Sequence, residues 1–361
     1  MTLIYFILLI GFFAVLTPLI LKKIFPHKIS KNEIIATIIC ALIATGISIF
    51  ISFGDIYNTH LVHGEITGKK KVRVSCSHSY QVCPRSSNQR HSNQRNINCI
   101  TQSQHNHDYE WRVYSTIGQF NIPRADSQGL IEPHRWRIIE NGQPYSKTIE
   151  YVDYIKGSHS IFNTQRFIKD SDQYFNLLPE YPEIFDTYRV NLVLSTFNIN
   201  PEIRYNLNDA LLDKLKKISN EKNNNTIIVV TKESQEFAEY LKRAWNNGKK
   251  NDSIVVIGVN SKYEILWSFV FGWSNNEIFN INLRNSINDI DNLSDYETIA
   301  NVIQREVHYN FDKKNIDEFK YLIYDRQVST TSMLLILILQ FIFNVCVSII
   351  FTFKNKTNKQ T

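Results

Sequence analysis

The chain has 361 residues, with 20% charged residues, 12 glycines and 9 prolines. That composition excludes a collagen-like or disordered chain, and five cysteines are too few for a disulfide scaffold of this length. Forty basic against 34 acidic residues leave a net charge of +6, and its location decides what it means.

Three uncharged runs stand out, at residues 3–21, 34–53 and 333–351. Each is long enough, at about 1.5 Å per residue, to cross about 30 Å of hydrocarbon, which predicts three transmembrane helices. The first run lacks the basic start and the small-residue cleavage site of a signal peptide. Residues 22–33 carry four lysines and one glutamate, and residues 352–361 three lysines and no acid. By the positive-inside rule both pieces are cytoplasmic, so the N-terminus and residues 54–332 lie outside, in a bacterial cell in the periplasm. The whole charge excess then sits in those two pieces, and the exterior part is balanced at 33 basic and 33 acidic residues. Nucleic acid is therefore not an expected partner. The lipid bilayer is. Small residues at Ala36, Cys40, Ala44, Ser48 and Ser52, and polar ones at Gln340, Asn344 and Ser348, recur every fourth position. They predict helix packing, within one chain or in an oligomer. With no acidic, basic or histidine side chain inside any run, a transporter, pump or proton relay is not expected.

The expected fold class is an α+β membrane protein. Its segments are two N-terminal spans (1–53), a strand-rich exterior domain (54–190), an α/β exterior domain (191–328), a third span (333–351) and a tail (352–361). The strand-rich part shows alternation at residues 71–74 and 110–114. Between them lies a polar insertion, 75–108, holding Cys76, Cys83 and Cys99 with His78, His91, His105 and His107. Residues 69–107 hold seven lysines and arginines and no acid. Three readings stay open. Cys76, Cys83, Cys99 and His107 fit a zinc site of three thiolates and one imidazole. An oxidising exterior favours a disulfide with one thiol left over. The third is a solvated loop. Further on, Arg124, Asp126, His134 and Arg135 flank prolines and a glycine, a pattern expected to tie down a long loop.

The pieces VSCSHSY (74–80) and IPRADSQG…EPHRW (122–136) resemble a family of uncharacterised membrane proteins of large tailed bacteriophages. The resemblance covers roughly residues 60–160 and implies a phage-encoded protein of the bacterial inner membrane, without an activity. Family members are usually richer in cysteine across the insertion.

From residue 201 the pattern alternates between helix and strand. Leu211, Leu212, Leu215 and Ile218 fall at helical spacing, and TIIVVT (226–231) reads as a strand buried on both faces. A helix is expected over 234–247, strands over 253–259 and 263–271, and helices over 296–308 and 317–324. This order, with RAWNNGKKNDSIVVIGV at 243–259, resembles the TPM domain family over about 200–320. The resemblance implies an α/β/α sandwich; family members include an acid phosphatase, photosystem repair factors and a receptor accessory protein. The family's acidic residue before the apolar strand is present as Asp252, while Ser253 replaces its glycine.

The chain contains no GxxxxGK[ST], no GxGxxG after a strand, no HExxH and no GxSxG. No catalytic or cofactor-binding residue is therefore expected. The expected function is non-catalytic: assembly, docking or an accessory role towards an unknown protein partner. The alternative is a membrane-bound hydrolase of phosphatase type. Trp267 and Trp273, which share a strand face with Phe269 and Phe271, are the candidate binding residues.

Overall fold

The computed structural model describes residues 3–24, 31–54, 56–82, 99–158, 160–325 and 330–357. Its helices are α1 (Leu3–Ile24), α2 (Lys31–Gly54), α3 (His134–Ile138), α4 (Pro201–Lys222), α5 (Gln235–Ala244), α6 (Glu277–Asn288), α7 (Tyr296–Asn310) and α8 (Thr330–Thr357). The first strands are β1 (Tyr57–Val74), β2 (Ser79–Val82), β3 (Ile100–Ser103), β4 (Asp108–Ser115), β5 (Gly118–Ile122) and β6 (Pro144–Val152). They are followed by β7 (Ile184–Phe185), β8 (Arg189–Val190), β9 (Val193–Ser195), β10 (Asn225–Thr231), β11 (Asp252–Val259) and β12 (Ile265–Gly272).

β1 organises the strand-rich part. Its first half pairs with β6, from Tyr57 opposite Val152 to Glu65 opposite Pro144. Its second half pairs with β4, ending with Val74 opposite Asp108, and the register shifts between Ile66 and Gly68 where the partner changes. The sheet order is β5-β4-β1-β6. Trp111, Val113, Ile122, Trp136 and Tyr145 fill its core.

The second sheet runs β12-β11-β10-β9. β10 lies parallel to both β9 and β11, and β12 closes the edge antiparallel to β11. Every residue of β10 and β11 is buried, as near-continuous β-branched runs require when both sheet faces are covered. At Gly258 the ring of Trp267 occupies the space a Cβ would fill. One core cluster takes in this sheet, residues of α4, α5, α6 and α7, and Leu61 of β1. The two halves meet there: Asn251 Nδ2 donates to the Leu61 carbonyl at 2.7 Å.

Several expectations are corrected. α1, α2 and α8 form and pack on one another through Phe6, Ile10, Ala44 and Ile336, with Gln340 Nε2 donating to the Ile10 carbonyl at 2.9 Å. Cys40, Ala44 and Ser48 are buried, as the small-residue spacing required. Yet among the described residues no helix is long and apolar enough to cross a membrane. The helices extend past the uncharged runs to take in Lys22 and Lys23, Lys31 and Glu33, and Lys354 and Lys356. Polar Gln340 and Asn344 are buried on α8. The membrane part of the expected fold class, the three spans, the inner-membrane and periplasmic placement and the inside–outside orientation fall with this finding. An α+β chain with mixed sheets remains. Lys28 and Lys359 lie outside the described residues. The segment expected as a helix over 317–324 is a 3₁₀ helix, Ile316–Asp325. α6 forms where no helix was expected: Phe279, Leu283 and Ile287 recur every fourth residue and Asn276 caps the first turn.

Candidate metal centre

The ends of β1 and β4 fix the site. With Val74 and Asp108 paired, the chain leaves β1, makes the β2–β3 hairpin and returns to the same point. Cys76 and His78 stand on the outgoing side, His105 and Asp108 on the returning side. One ligand atom from each lies within 4.8 Å of all the others. Cys76 Sγ is 3.6 Å from His105 Nδ1, which is 3.2 Å from Asp108 Oδ1, and His78 Nδ1 is 3.4 Å from Asp108 Oδ2. Tetrahedral zinc, with ligands at about 2.0–2.3 Å, separates its donors by about 3.3–3.8 Å. The four residues could hold a metal ion. Nδ1 of His78 is buried and faces Asp108 Oδ2 without a hydrogen bond to it.

Asp108 is wholly buried, and its second oxygen is already held. Arg124 donates to Oδ2 at 2.9 Å and the Ser77 amide at 3.4 Å. Burial alone would raise this carboxyl; the Arg124 guanidinium, the Ser77 amide and the Cys76 thiol outweigh it and bring it down to about 2. A carboxylate oriented through one oxygen leaves the other directed at the ligand position. The loop of residues 122–131 buttresses this arrangement. Asp126 accepts from the amides of Leu130 and Ile131, and Gln128 Nε2 donates to the His107 carbonyl. Gly129, at φ +77°, packs so closely on the Tyr109 carbonyl that a Cβ would collide with it.

The ligand set differs from Cys76, Cys83, Cys99 and His107. Only Cys76 belongs to the cluster. Cys99 is disulfide-bonded, which removes its thiolate, while Cys76 is a free thiol. Cys83 and His91 lie outside the described residues. His107 turns away to put Nε2 3.2 Å from the Tyr109 hydroxyl. His105 and Asp108, three residues apart at the strand entrance, take the remaining places with His78. No protein-family model, no curated protein and no solved structure matches the chain.

Of the two binding tryptophans, Trp273 is only 9% exposed. It packs with Tyr154, Ile155, Phe319 and Leu322, and its Nε1 donates to the Gly248 carbonyl at 3.0 Å. An indole that needs a partner for its N–H found one inside the fold, so Trp273 is not a surface anchor. Trp267 is half-buried over Gly258. Trp273 offers no exposed aromatic face.

A second polar cluster lies between the halves. Ser146 Oγ is 2.8 Å from His63 Nδ1, and His63 Nε2 is 2.8 Å from Asn225 Oδ1. Asn225 Nδ2 donates to Asp252 Oδ1, which also accepts from the Tyr181 hydroxyl at 3.0 Å. The first three residues imitate a nucleophilic triad in connectivity, but all three are buried, so no substrate reaches Ser146. Burial lowers His63 to about 4 against the pull of Asn225. Burial also raises Asp252, against hydrogen bonds from Lys249 N, Asn225 and Tyr181. This network joins β1, β6, β10 and β11 and acts as a structural tie.

Proposed function

We propose that this protein is a non-catalytic docking or accessory protein whose β2–β3 hairpin is braced by a structural zinc ion on Cys76, His78, His105 and Asp108. The observation that carries the reading is a convergent set of four protein donors, one of them a wholly buried carboxylate clamped by Arg124. Four protein ligands leave no open position for substrate, which is the structural rather than the catalytic arrangement. Mixed sulfur, nitrogen and oxygen donors suit zinc better than the hard, oxygen-seeking cations.

The braced element has a surface suited to docking. Tyr80, Val82 and Ile100 are 45%, 42% and 71% exposed, and Val82 pairs with Ile100 at the far end of the hairpin. The hairpin strands carry no charged residue, so the partner this surface fits is a protein with an apolar patch. The TPM-like reading of residues 200–320 belongs to the same proposal, supported by a mixed sheet flanked by helices. The phosphatase alternative gains nothing from Asp252, which is buried behind Tyr181 and spends both oxygens on internal hydrogen bonds.

A photo-crosslinker placed at Ile100 in the full chain tests the reading. The expected result is one defined protein adduct that disappears with Val82→Asp while the zinc content stays unchanged. Phosphatase turnover abolished by Asp252→Asn would overturn it, as would crosslinking indifferent to Val82→Asp.

A further inference from the structure

A cavity of about 460 Å³ opens where the end of β6, the loop before β11 and the segment after α7 meet. Lys250, Lys313 and Lys314 line it, with Tyr151 and Tyr154 as an aromatic wall and Asp317 as its one carboxylate. Among the described residues none of the three lysines forms an ion pair. Two of the ammonium groups rest on aromatic faces instead: Lys250 Nζ lies 4.6 Å from the centre of the Tyr151 ring, and Lys314 Nζ 5.5 Å from that of Phe319.

Three like charges around a half-buried cavity repel one another, and burial removes the water that would screen them. Burial and the charge of Lys313 lower Lys250, with Asp317 pulling the other way; burial lowers Lys313. The positive field reaches further. His60, whose ring stands 5.4 Å from that of Tyr151, is lowered to about 3 by burial together with Lys250, Lys313 and Lys249. Such an arrangement costs stability until an anion enters it. The lysines come from two separate segments of the α/β half, with the tyrosines of the strand-rich half against them, so one anion would neutralise charges that the folded chain forces together.

We propose that this cavity binds a small multivalent oxyanion of the phosphate class, held by Lys250, Lys313 and Lys314. Phosphate suits it because ammonium groups bind it as point charges from several directions, whereas a lone carboxylate neutralises only one of the three.

The test uses the full chain, with ionic strength held constant by NaCl. Inorganic phosphate is expected to raise the melting temperature by several degrees and to bind saturably in calorimetry. Lys313→Gln and Lys250→Gln should each weaken binding by roughly tenfold or more, since each removes a full charge from a desolvated site. Both variants should fold at least as well as the parent without phosphate, because each relieves repulsion. Lys262→Gln, an exposed charge elsewhere, should leave the phosphate response intact. Phenyl phosphate binding more tightly than phosphate would assign the cavity to a phosphate carried on a larger molecule; equal binding would assign it to the free ion. A melting temperature that responds to NaCl and phosphate alike would overturn the proposal, as would a phosphate response that survives in both lysine variants.

Discussion

In the sheet of β9–β12 every residue of the two central strands is buried, whereas in the β2–β3 hairpin every residue is exposed. The first region holds its shape by removing apolar surface from water, at roughly 25 cal/mol per Å². The second leaves its apolar side chains exposed rather than buried, and an isolated two-stranded hairpin is marginal in water. It is tied at its base instead, by the Cys76–His78–His105–Asp108 cluster, and next to its far end by the disulfide at Cys99. Lesions in the two regions should therefore differ in reach: one unfolds the molecule, the other releases one element.

The largest effect is expected in the buried sheet. Phe237 of α5 is wholly buried in its core, and Phe237→Ala should cost about 3–5 kcal/mol in urea unfolding, with the whole described α/β half losing hydrogen-exchange protection. A loss confined to α5 would mean that this core is not cooperative.

The polar seam between the strand-rich and α/β halves should show in pH dependence. His60 and His63 sit at about 3 and about 4 in the folded chain against 6.5 unfolded. The unfolded chain therefore takes up protons first, and stability falls as pH drops from 6.5 towards 4, by about 1.4 kcal/mol per pH unit for each histidine. Asp252 works the other way: its raised pKa makes its protonation favour the folded state over the range between 3.8 and its folded value. With two histidines against one acid, net acid destabilisation is expected in urea titrations run with a chelator, and His60→Gln should make it shallower. An unchanged slope would remove His60 from the account.

Smaller still is Gly258→Ala, which pushes a methyl group into the Trp267 ring. It should cost about 1–3 kcal/mol and change the tryptophan fluorescence, because overpacking moves the ring rather than the strand. Leu266→Ser, on an exposed position of the same strand, should stay within about 0.5 kcal/mol of the parent. Similar costs for the two would show that Trp267 is not packed as described.

Much of the buried region was legible in the sequence. The β-branched runs at 226–231 and 254–257 left little besides a doubly covered strand, and Phe237, Ala238 and Leu241 marked the inner face of α5. β1 was harder, because His60 and His63 interrupt its apolar pattern and find their partners, Tyr151 and Asn225, far along the chain. Trp273 was only partly legible for a related reason: strand alternation gives its face but not the Gly248 carbonyl that takes its N–H. The metal cluster was half legible. Cysteine and histidine density pointed to residues 75–108, yet Asp108 became a candidate ligand only through the pairing of Val74 with Asp108, which no local pattern announces. The apolar runs at both ends announced helices correctly and a membrane crossing incorrectly, since side-chain periodicity does not say how far a helix continues into charged residues.

Metal analysis of the purified full chain, paired with two substitutions, is the most direct test. One zinc ion per chain is expected in the parent and in His107→Ala, and none in Cys76→Ser, with hydrogen-exchange protection lost across 76–82 and 99–105 but kept in β10 and β11. A chain without stoichiometric metal, or one that keeps its zinc in Cys76→Ser and loses it in His107→Ala, would contradict the account.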